Sequence, residues 1–153
     1  PARFLGWAQA DAYCRWAGGR LPSEEEWEKA ARGTDGRIWP WGNEADATRF
    51  QGRERSDGKR IAEVGLLPAG DSFYGVSDMA GNLWELTASP WPGGNTHVMK
   101  GGSYLNPLME VRSAWRWTSA NEASGSDYLG FRCVLDLPYR VGERAAAGNP
   151  VPR

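Results

Sequence analysis

The chain has 153 residues, of which 24% are charged, and its formal net charge is -1. This length is that of one domain. The nearly balanced charge provides no basic surface for nucleic acid, and no apolar run approaches the roughly 18 residues of a membrane-spanning helix. We therefore expect no nucleic-acid partner and no membrane insertion.

Two helices are predicted near the start of the chain. The first covers residues 7–17, where apolar side chains recur three and four positions apart. The second begins after Ser23, because Ser23 and Glu26 have the spacing of a capping box. It ends at Gly33, a residue type that commonly terminates helices.

The remainder is predicted as loops and short strands. Strands are expected at residues 97–104 and 131–135, and in the second Phe131, Cys133 and Leu135 alternate on one face. The 20 glycines and nine tryptophans indicate loops that wrap aromatic anchors. The sequence therefore predicts an α+β fold with little regular secondary structure.

Domain organisation follows from where this patterning stops. Residues 1–136 carry the predicted helices and strands, and we assign them to one domain. Residues 137–153 show no periodicity, and we assign them to a C-terminal tail.

Five short motifs occur in order along the chain. They are AYCRWAGGRLPSEEEWE (residues 12–28), WPWGN (39–43), YGV with DMAGNLWE (74–85), KGGSY (100–104) and LGFRC (129–133). This series resembles the formylglycine-generating enzymes, also called sulfatase-modifying factors. The resemblance implies a C-type-lectin-like α+β fold with bound calcium.

The catalytic cysteines of the resembling oxidases have no counterpart here. In that family two cysteines after the Gly-Gly-Ser motif bind copper, and the corresponding residues are Asn106 and Val111. Neither side chain replaces a thiolate as a ligand of Cu(I). The related sulfoxide synthases use three histidines for iron, and this chain has one, His97. We expect no formylglycine-generating activity and lean toward a protein that is not an enzyme.

The same resemblance implies a calcium site in the motif DMAGNLWE. Its ligands are the side chain of Asp78, where the family has Asn, the carbonyl groups of Gly81 and Leu83, and the carboxylate of Glu85. Hard oxygen ligands of this kind suit calcium. The alternative is that Asp78 and Glu85 are ordinary loop charges.

A candidate ligand-binding surface follows the Gly-Gly-Ser motif and is rich in aromatic and arginine residues. This composition is typical of binding hot spots. If the segment is a strand, its two tryptophans share a face and the arginine between them points away. The alternative is that one tryptophan belongs to the core and the arginines form surface ion pairs. The candidate residues are Ser103, Tyr104, Asn106, Arg112, Trp115, Arg116 and Trp117.

The two cysteines of the chain lie far apart in sequence. By count alone, Cys14 and Cys133 form either one long-range disulfide or two buried thiols. Both belong to motifs that resemble the family's long-range disulfide pair, so the resemblance implies that they are bonded.

Three functions remain open. The first is a non-catalytic domain that binds a peptide, a protein or a small molecule in the old substrate groove, for instance as the sensor module of a larger bacterial signalling protein. The second is a tailoring oxidoreductase resembling the pyoverdine-maturation proteins. The third is a variable ligand-binding protein of a diversity-generating retroelement. The family domain also has a segment before its first helix, and we expect that segment as a separate fragment or another chain.

Overall fold

The regular elements are few and short. The computed structural model describes residues 1–55, 61–118 and 123–136, so the tail predicted at 137–153 lies outside the described residues. No helix in this described part has the length and apolar character needed to cross a membrane. The α+β class predicted from sequence is confirmed. The elements are α1 (Trp7–Trp16), α2 (Glu24–Arg32), β1 (Trp84–Pro90), β2 (His97–Lys100), β3 (Arg116–Trp117) and β4 (Leu129–Phe131).

Both predicted helices are present, and local chemistry sets their ends. The Ser23 hydroxyl accepts the N–H of Glu26 at 3.2 Å, and the Glu26 carboxylate accepts the N–H of Ser23 at 2.8 Å. This capping box starts α2. Gly33 caps its C-terminus at a φ of 68°, a conformation that costs glycine little.

The four strands form one sheet in the order β3-β2-β1-β4. β1 is antiparallel to β2 and parallel to β4, while β2 is antiparallel to β3. β2 is shorter than the strand predicted at 97–104, because Gly101 and Gly102 turn the chain at φ values of 89° and 74°. A Cβ at Gly102 would lie 2.6 Å from the side chain of Val111, so the turn requires glycine.

The prediction of a strand at 131–135 is wrong in position, because the strand observed there begins and ends earlier in the chain. β4 covers Leu129–Phe131, and Leu135 is 62% exposed, so the alternating face does not continue inward. The cause is a bridge between Val134 and Arg20, whose backbone groups exchange hydrogen bonds at 2.8 and 3.0 Å. This bridge directs the chain away from the sheet.

The core consists of three packed clusters. The largest lies between α1 and the sheet, the second joins the WPWGN turn to the segment after β2, and the third packs α2 against the loop before β1. Their buried members are, in that order, Ala10, Cys14, Leu21, Trp84, Leu86, Met99 and Leu129; Trp39, Phe50, Ala80 and Val111; and Trp27, Ala31 and Met79.

A disulfide joins Cys14 of α1 to Cys133 after β4, with Cα atoms 5.4 Å apart and a sequence separation of 119. This is the pairing that the family resemblance implies. Cys14 is fully buried in the largest core cluster. The bond therefore fixes the two ends of the described domain to each other.

Candidate functional site

A cavity lined by residues of β1, β2 and β3 contains several of the predicted ligand-binding residues. Its volume is about 520 Å³. Strand pairing assembles it, because Met99 of β2 lies opposite Trp117 of β3 and Trp84 begins β1 beside β4. The lining residues are Trp84, Met99, Ser103, Leu105, Asn106, Glu110, Trp115, Trp117, Thr118 and Tyr128.

Four of the ten described residues that line the cavity are aromatic. Trp84 is buried, whereas Trp117 is 56% exposed and stands at the opening. Trp115 and Tyr128 are half-buried and pack against the main core cluster. The wall is therefore packed against the core on one side and accessible to solvent at Trp117.

A hydrogen-bonded polar group lies on one side of the same cavity. The Asn106 Oδ1 accepts the backbone N–H of Ser103 at 2.9 Å and its hydroxyl at 2.8 Å. The Asn106 Nδ2 donates to the Glu110 carboxylate at 2.7 Å. The 3₁₀ turn Leu108–Glu110 brings this carboxylate beside Asn106.

The seven predicted ligand-binding residues divide into two groups. The first group lines the cavity and consists of Ser103, Asn106, Trp115 and Trp117. The two tryptophans share this cavity, as their spacing of two residues predicts. The other three do not line it, and each has another contact.

Those contacts explain the positions of the remaining three. The buried Tyr104 donates its hydroxyl to Asp127 at 2.9 Å. Arg112 donates to the Met109 carbonyl at 2.8 Å and lies 5.1 Å from the centre of the Trp115 ring. Arg116 points away from the cavity and pairs with Glu24 at 3.0 Å.

Several lining residues were not predicted from the sequence. Glu110 supplies the cavity's carboxylate, and Trp84 and Tyr128 supply half of its aromatic wall. Trp84 belongs to the motif DMAGNLWE, so the motif itself was a usable signal. Glu110 had no signal beyond its spacing of four residues from Asn106.

The four predicted calcium ligands lie together around a second, smaller cavity of about 200 Å³. Asp78 has a φ of 58°, a left-handed conformation in which Asp and Asn are enriched. Its Oδ2 accepts the N–H of Gly65 at 2.7 Å. Gly81, Leu83 and Glu85 line the same space, and so does Arg132.

Glu85 already has close partners. Its Oε2 accepts the Trp27 indole N–H at 2.6 Å and the Arg132 Nε at 2.5 Å, while its Oε1 accepts the Arg132 Nη2 at 2.7 Å. A carboxylate has about four acceptor positions, so one remains on Oε1.

The candidate ligands at this cavity are all oxygen atoms, which is the kind of ligand that calcium takes. Burial raises the pKa of the Asp78 carboxyl, the Gly65 N–H and the Arg132 guanidinium act to lower it, and the Glu85 and Asp71 carboxylates add smaller contributions that raise it. A cation at Asp78 would relieve this repulsion. The described residues contain no cluster of three or more His, Cys, Asp or Glu side chains suited to a metal, so calcium would depend on the Gly81 and Leu83 carbonyls for further ligands.

The residues at the two positions of the family's copper-binding cysteines differ in their surroundings. Asn106 lines the first cavity, whereas Val111 is fully buried in the cluster with Trp39 and Phe50. His97 stacks on the Trp7 ring with centroids 3.9 Å apart, which gives this histidine a structural contact.

Comparison with known proteins gives close relatives by sequence. The inactive C-alpha-formylglycine-generating enzyme 2 of Mus musculus is 38% identical in an alignment 150 positions long, gaps included, that covers 88% of this chain and 48% of that protein. The formylglycine-generating enzyme of Bos taurus is 35% identical in an alignment 167 positions long, which covers 89% of this chain and 44% of that protein. The chain thus spans about half the length of these relatives.

Solved structures agree with the fold. PvdO from Pseudomonas aeruginosa matches with a TM-score of 0.72 and 25% identity over 86% of this chain and 60% of that chain. Treponema denticola variable protein 1 matches with a TM-score of 0.59 and 25% identity over 73% of this chain and 45% of that chain. The fold is therefore that of formylglycine-generating-enzyme-like proteins, with C-type-lectin-like architecture.

The family model agrees with these relatives and with the order of the five motifs. It describes the sulfatase-modifying factor enzyme 1-like domain, and it matches residues 1–137. Because this match includes every described residue, the chain belongs to the family of sulfatase-modifying factor enzyme 1-like domains.

Proposed function

We propose that the chain is a non-catalytic domain that binds a ligand in the aromatic cavity. The observation that carries the proposal is Asn106, which stands at the first copper-thiol position and is engaged by Ser103 and Glu110. The second position is the buried Val111. Both cysteines of the chain form the disulfide, so the residues present do not fit a thiolate copper site.

The cavity has the properties of a binding pocket for a small ligand. Its volume of about 520 Å³ lies within the roughly 300–1,000 Å³ of small-molecule sites. Aromatic walls with a few polar groups are typical of such pockets. A side chain of a peptide or protein ligand would fit the same space. One relative is named as an inactive formylglycine-generating enzyme, which supports the non-catalytic part of the proposal.

A second candidate is a tailoring oxidoreductase resembling the pyoverdine-maturation proteins. The likeness to PvdO, with a TM-score of 0.72, favours it. We rank it second, because the described residues lining the cavity include no thiol and no imidazole. A variable ligand-binding protein ranks third and is supported by the likeness to the Treponema denticola protein.

A ligand screen tests the proposed function. Thermal unfolding is measured against a library of small molecules, and a ligand of the native state raises the melting temperature. Stabilisation should disappear in Trp117→Ala and persist in Trp16→Ala, a matched control whose tryptophan is 81% exposed on α1. Hits that survive Trp117→Ala would place binding elsewhere.

The absence of catalysis is tested separately. The chain is incubated with a cysteine-containing sulfatase-type peptide and copper, and the peptide mass is followed. We expect no change. A copper-dependent loss of mass would overturn the non-catalytic proposal, whatever the ligand screen shows.

We further propose that calcium binds at the second cavity. Asp78 would supply a carboxylate, Gly81 and Leu83 would supply carbonyl oxygens, and Glu85 would use its remaining Oε1 position. The support is the shared cavity and the burial of the Asp78 carboxyl beside other carboxylates. Bound calcium would stabilise the loop that precedes β1.

Chelation tests the calcium proposal. Removal of calcium should lower the melting temperature, because a ligand of the folded state stabilises it by mass action. Asp78→Ala should be insensitive to chelation, whereas Glu63→Gln, an exposed carboxylate in the same loop region, should respond like the wild type. Equal melting of the wild type with and without chelator would exclude the site.

A further inference from the structure

Among the residues that the structure describes, the carboxylate that lines the aromatic cavity has no cationic partner. This carboxylate is Glu110, which is half-buried and accepts a hydrogen bond from the neutral amide of Asn106 at 2.7 Å. The described residues that line the cavity include no Lys, Arg or His. The nearest candidates in sequence, Arg112 and Arg116, make their contacts outside the cavity.

The orientation of Asn106 fixes the role of Glu110. A backbone N–H is always a donor, so the Asn106 atom that accepts from the Ser103 N–H must be its oxygen. The amide nitrogen therefore faces Glu110, and it donates to the carboxylate. The Arg53 backbone N–H donates to the Asn106 backbone carbonyl at 3.1 Å, which holds the main chain at this position.

The surrounding rings favour the same sign of charge in a ligand. The faces of indole and phenol rings carry partial negative charge, which attracts cations within about 6 Å. Trp84, Trp115, Trp117 and Tyr128 line the cavity that also contains the Glu110 carboxylate. An anion would meet repulsion from the carboxylate, and a neutral ligand would leave that charge unpaired.

We propose that the cavity selects an organic cation, namely an ammonium group on an apolar arm. Glu110 provides the opposite charge, the aromatic rings contact the arm, and Asn106 is a positioning residue that orients the carboxylate. The inference rests on the proposed function, because it specifies the ligand class of the same cavity. Asn106, at the position of the first copper-binding cysteine in the resembling oxidases, would thus hold the Glu110 carboxylate in place.

Three probes with one ring and different charge test this selection. Benzylammonium, benzyl alcohol and benzoate are titrated into the 153-residue chain at pH 7, and binding is followed by the indole N–H resonances. Benzylammonium should bind about tenfold more tightly than the alcohol, and benzoate more weakly than both. Glu110→Gln should remove this order, whereas Glu44→Gln, which neutralises an exposed carboxylate elsewhere, should preserve it.

Asn106→Ala separates positioning from structure. It should reduce the preference for benzylammonium over benzyl alcohol several-fold and leave the affinity for the alcohol unchanged. A merely structural role would weaken both probes equally, and that result would overturn the role of Asn106.

The outcomes distinguish this inference from the function on which it rests. If benzyl alcohol binds the wild type as tightly as benzylammonium, charge selection is wrong while the cavity remains a ligand site. If all three probes fail to bind, charge selection is also overturned, and the screen with Trp117→Ala decides the proposed function independently. Retention of the preference in Glu110→Gln would show that another group provides the charge.

Discussion

The Glu85–Arg132 pair provides the sharpest test of how the domain is held together. Glu85 is 8% exposed, and its carboxylate accepts hydrogen bonds from Trp27 and from two nitrogens of Arg132. Arg132 also donates to the Ser77 carbonyl at 3.1 Å. The perturbation is Arg132→Met, which keeps an apolar stem and removes the positive charge.

The expected loss of stability follows from what is left behind. Removal of one member of a buried ion pair costs about 3–5 kcal/mol, because the remaining charge is buried without compensation. The Arg132 side chain is 25% exposed, and Glu85 keeps its Trp27 bond, so we expect the lower end, about 3 kcal/mol. At about 2–4 °C per kcal/mol for a chain of this size, melting should fall by about 6–12 °C.

The assay is urea and thermal unfolding in the presence of a chelator, so that calcium does not contribute. The double variant with Glu85→Gln should recover part of the loss, because the uncompensated charge is gone. Arg15→Met is the matched control, since its pair with Asp11 involves a side chain that is 70% exposed and should contribute at most about 1 kcal/mol. If Arg132→Met behaves like Arg15→Met, the buried pair does not stabilise the fold as argued.

Two further predictions concern pH and redox state. The Arg20 guanidinium, through hydrogen bonds, lowers the pKa of Glu26 from 4.5 to about 2. The unfolded state therefore binds more protons between these two pH values, so the free energy of unfolding should fall as pH falls through that window. In Arg20→Met, the melting temperature should depend less on pH over the same window. Reduction of the disulfide opens a loop with a sequence separation of 119, which costs up to about 4–5 kcal/mol in the chain-entropy model. Cys14→Ala with Cys133→Ala should melt like the reduced protein, and unchanged melting after reduction would refute this estimate.

The features that the sequence predicted well are local. The capping box of α2 needs residues three positions apart, and the end of the helix needs one glycine, Gly33. Such patterns are complete within a few residues, so they can be read without the rest of the chain. The error at residues 131–135 has the opposite cause, since the bridge to Arg20 spans more than 100 positions.

The candidate site was predicted in part for the same reason. Trp115 and Trp117 line the cavity and Arg116 does not, as the alternation predicted, although the strand itself covers only Arg116–Trp117. Alternation does not predict the ion-pair partner of Arg116, because that partner, Glu24, lies 92 positions away in the sequence. Glu110 was missed because its place depends on a short 3₁₀ turn that has no periodic signature.

The triad of Trp27, Glu85 and Arg132 shows why the motifs predicted the fold better than the function. Its three members come from the first, third and fifth motifs, and they meet at one buried carboxylate. These three motifs therefore contribute to the scaffold, because hydrogen bonds join them at one buried carboxylate. The segment after the Gly-Gly-Ser turn contributes four residues to the cavity, namely Asn106, Glu110, Trp115 and Trp117. Differences of function within this scaffold should therefore be sought in residues 105–118. In this segment Asn106 stands where the resembling oxidases have a cysteine, and its amide donates to the Glu110 carboxylate.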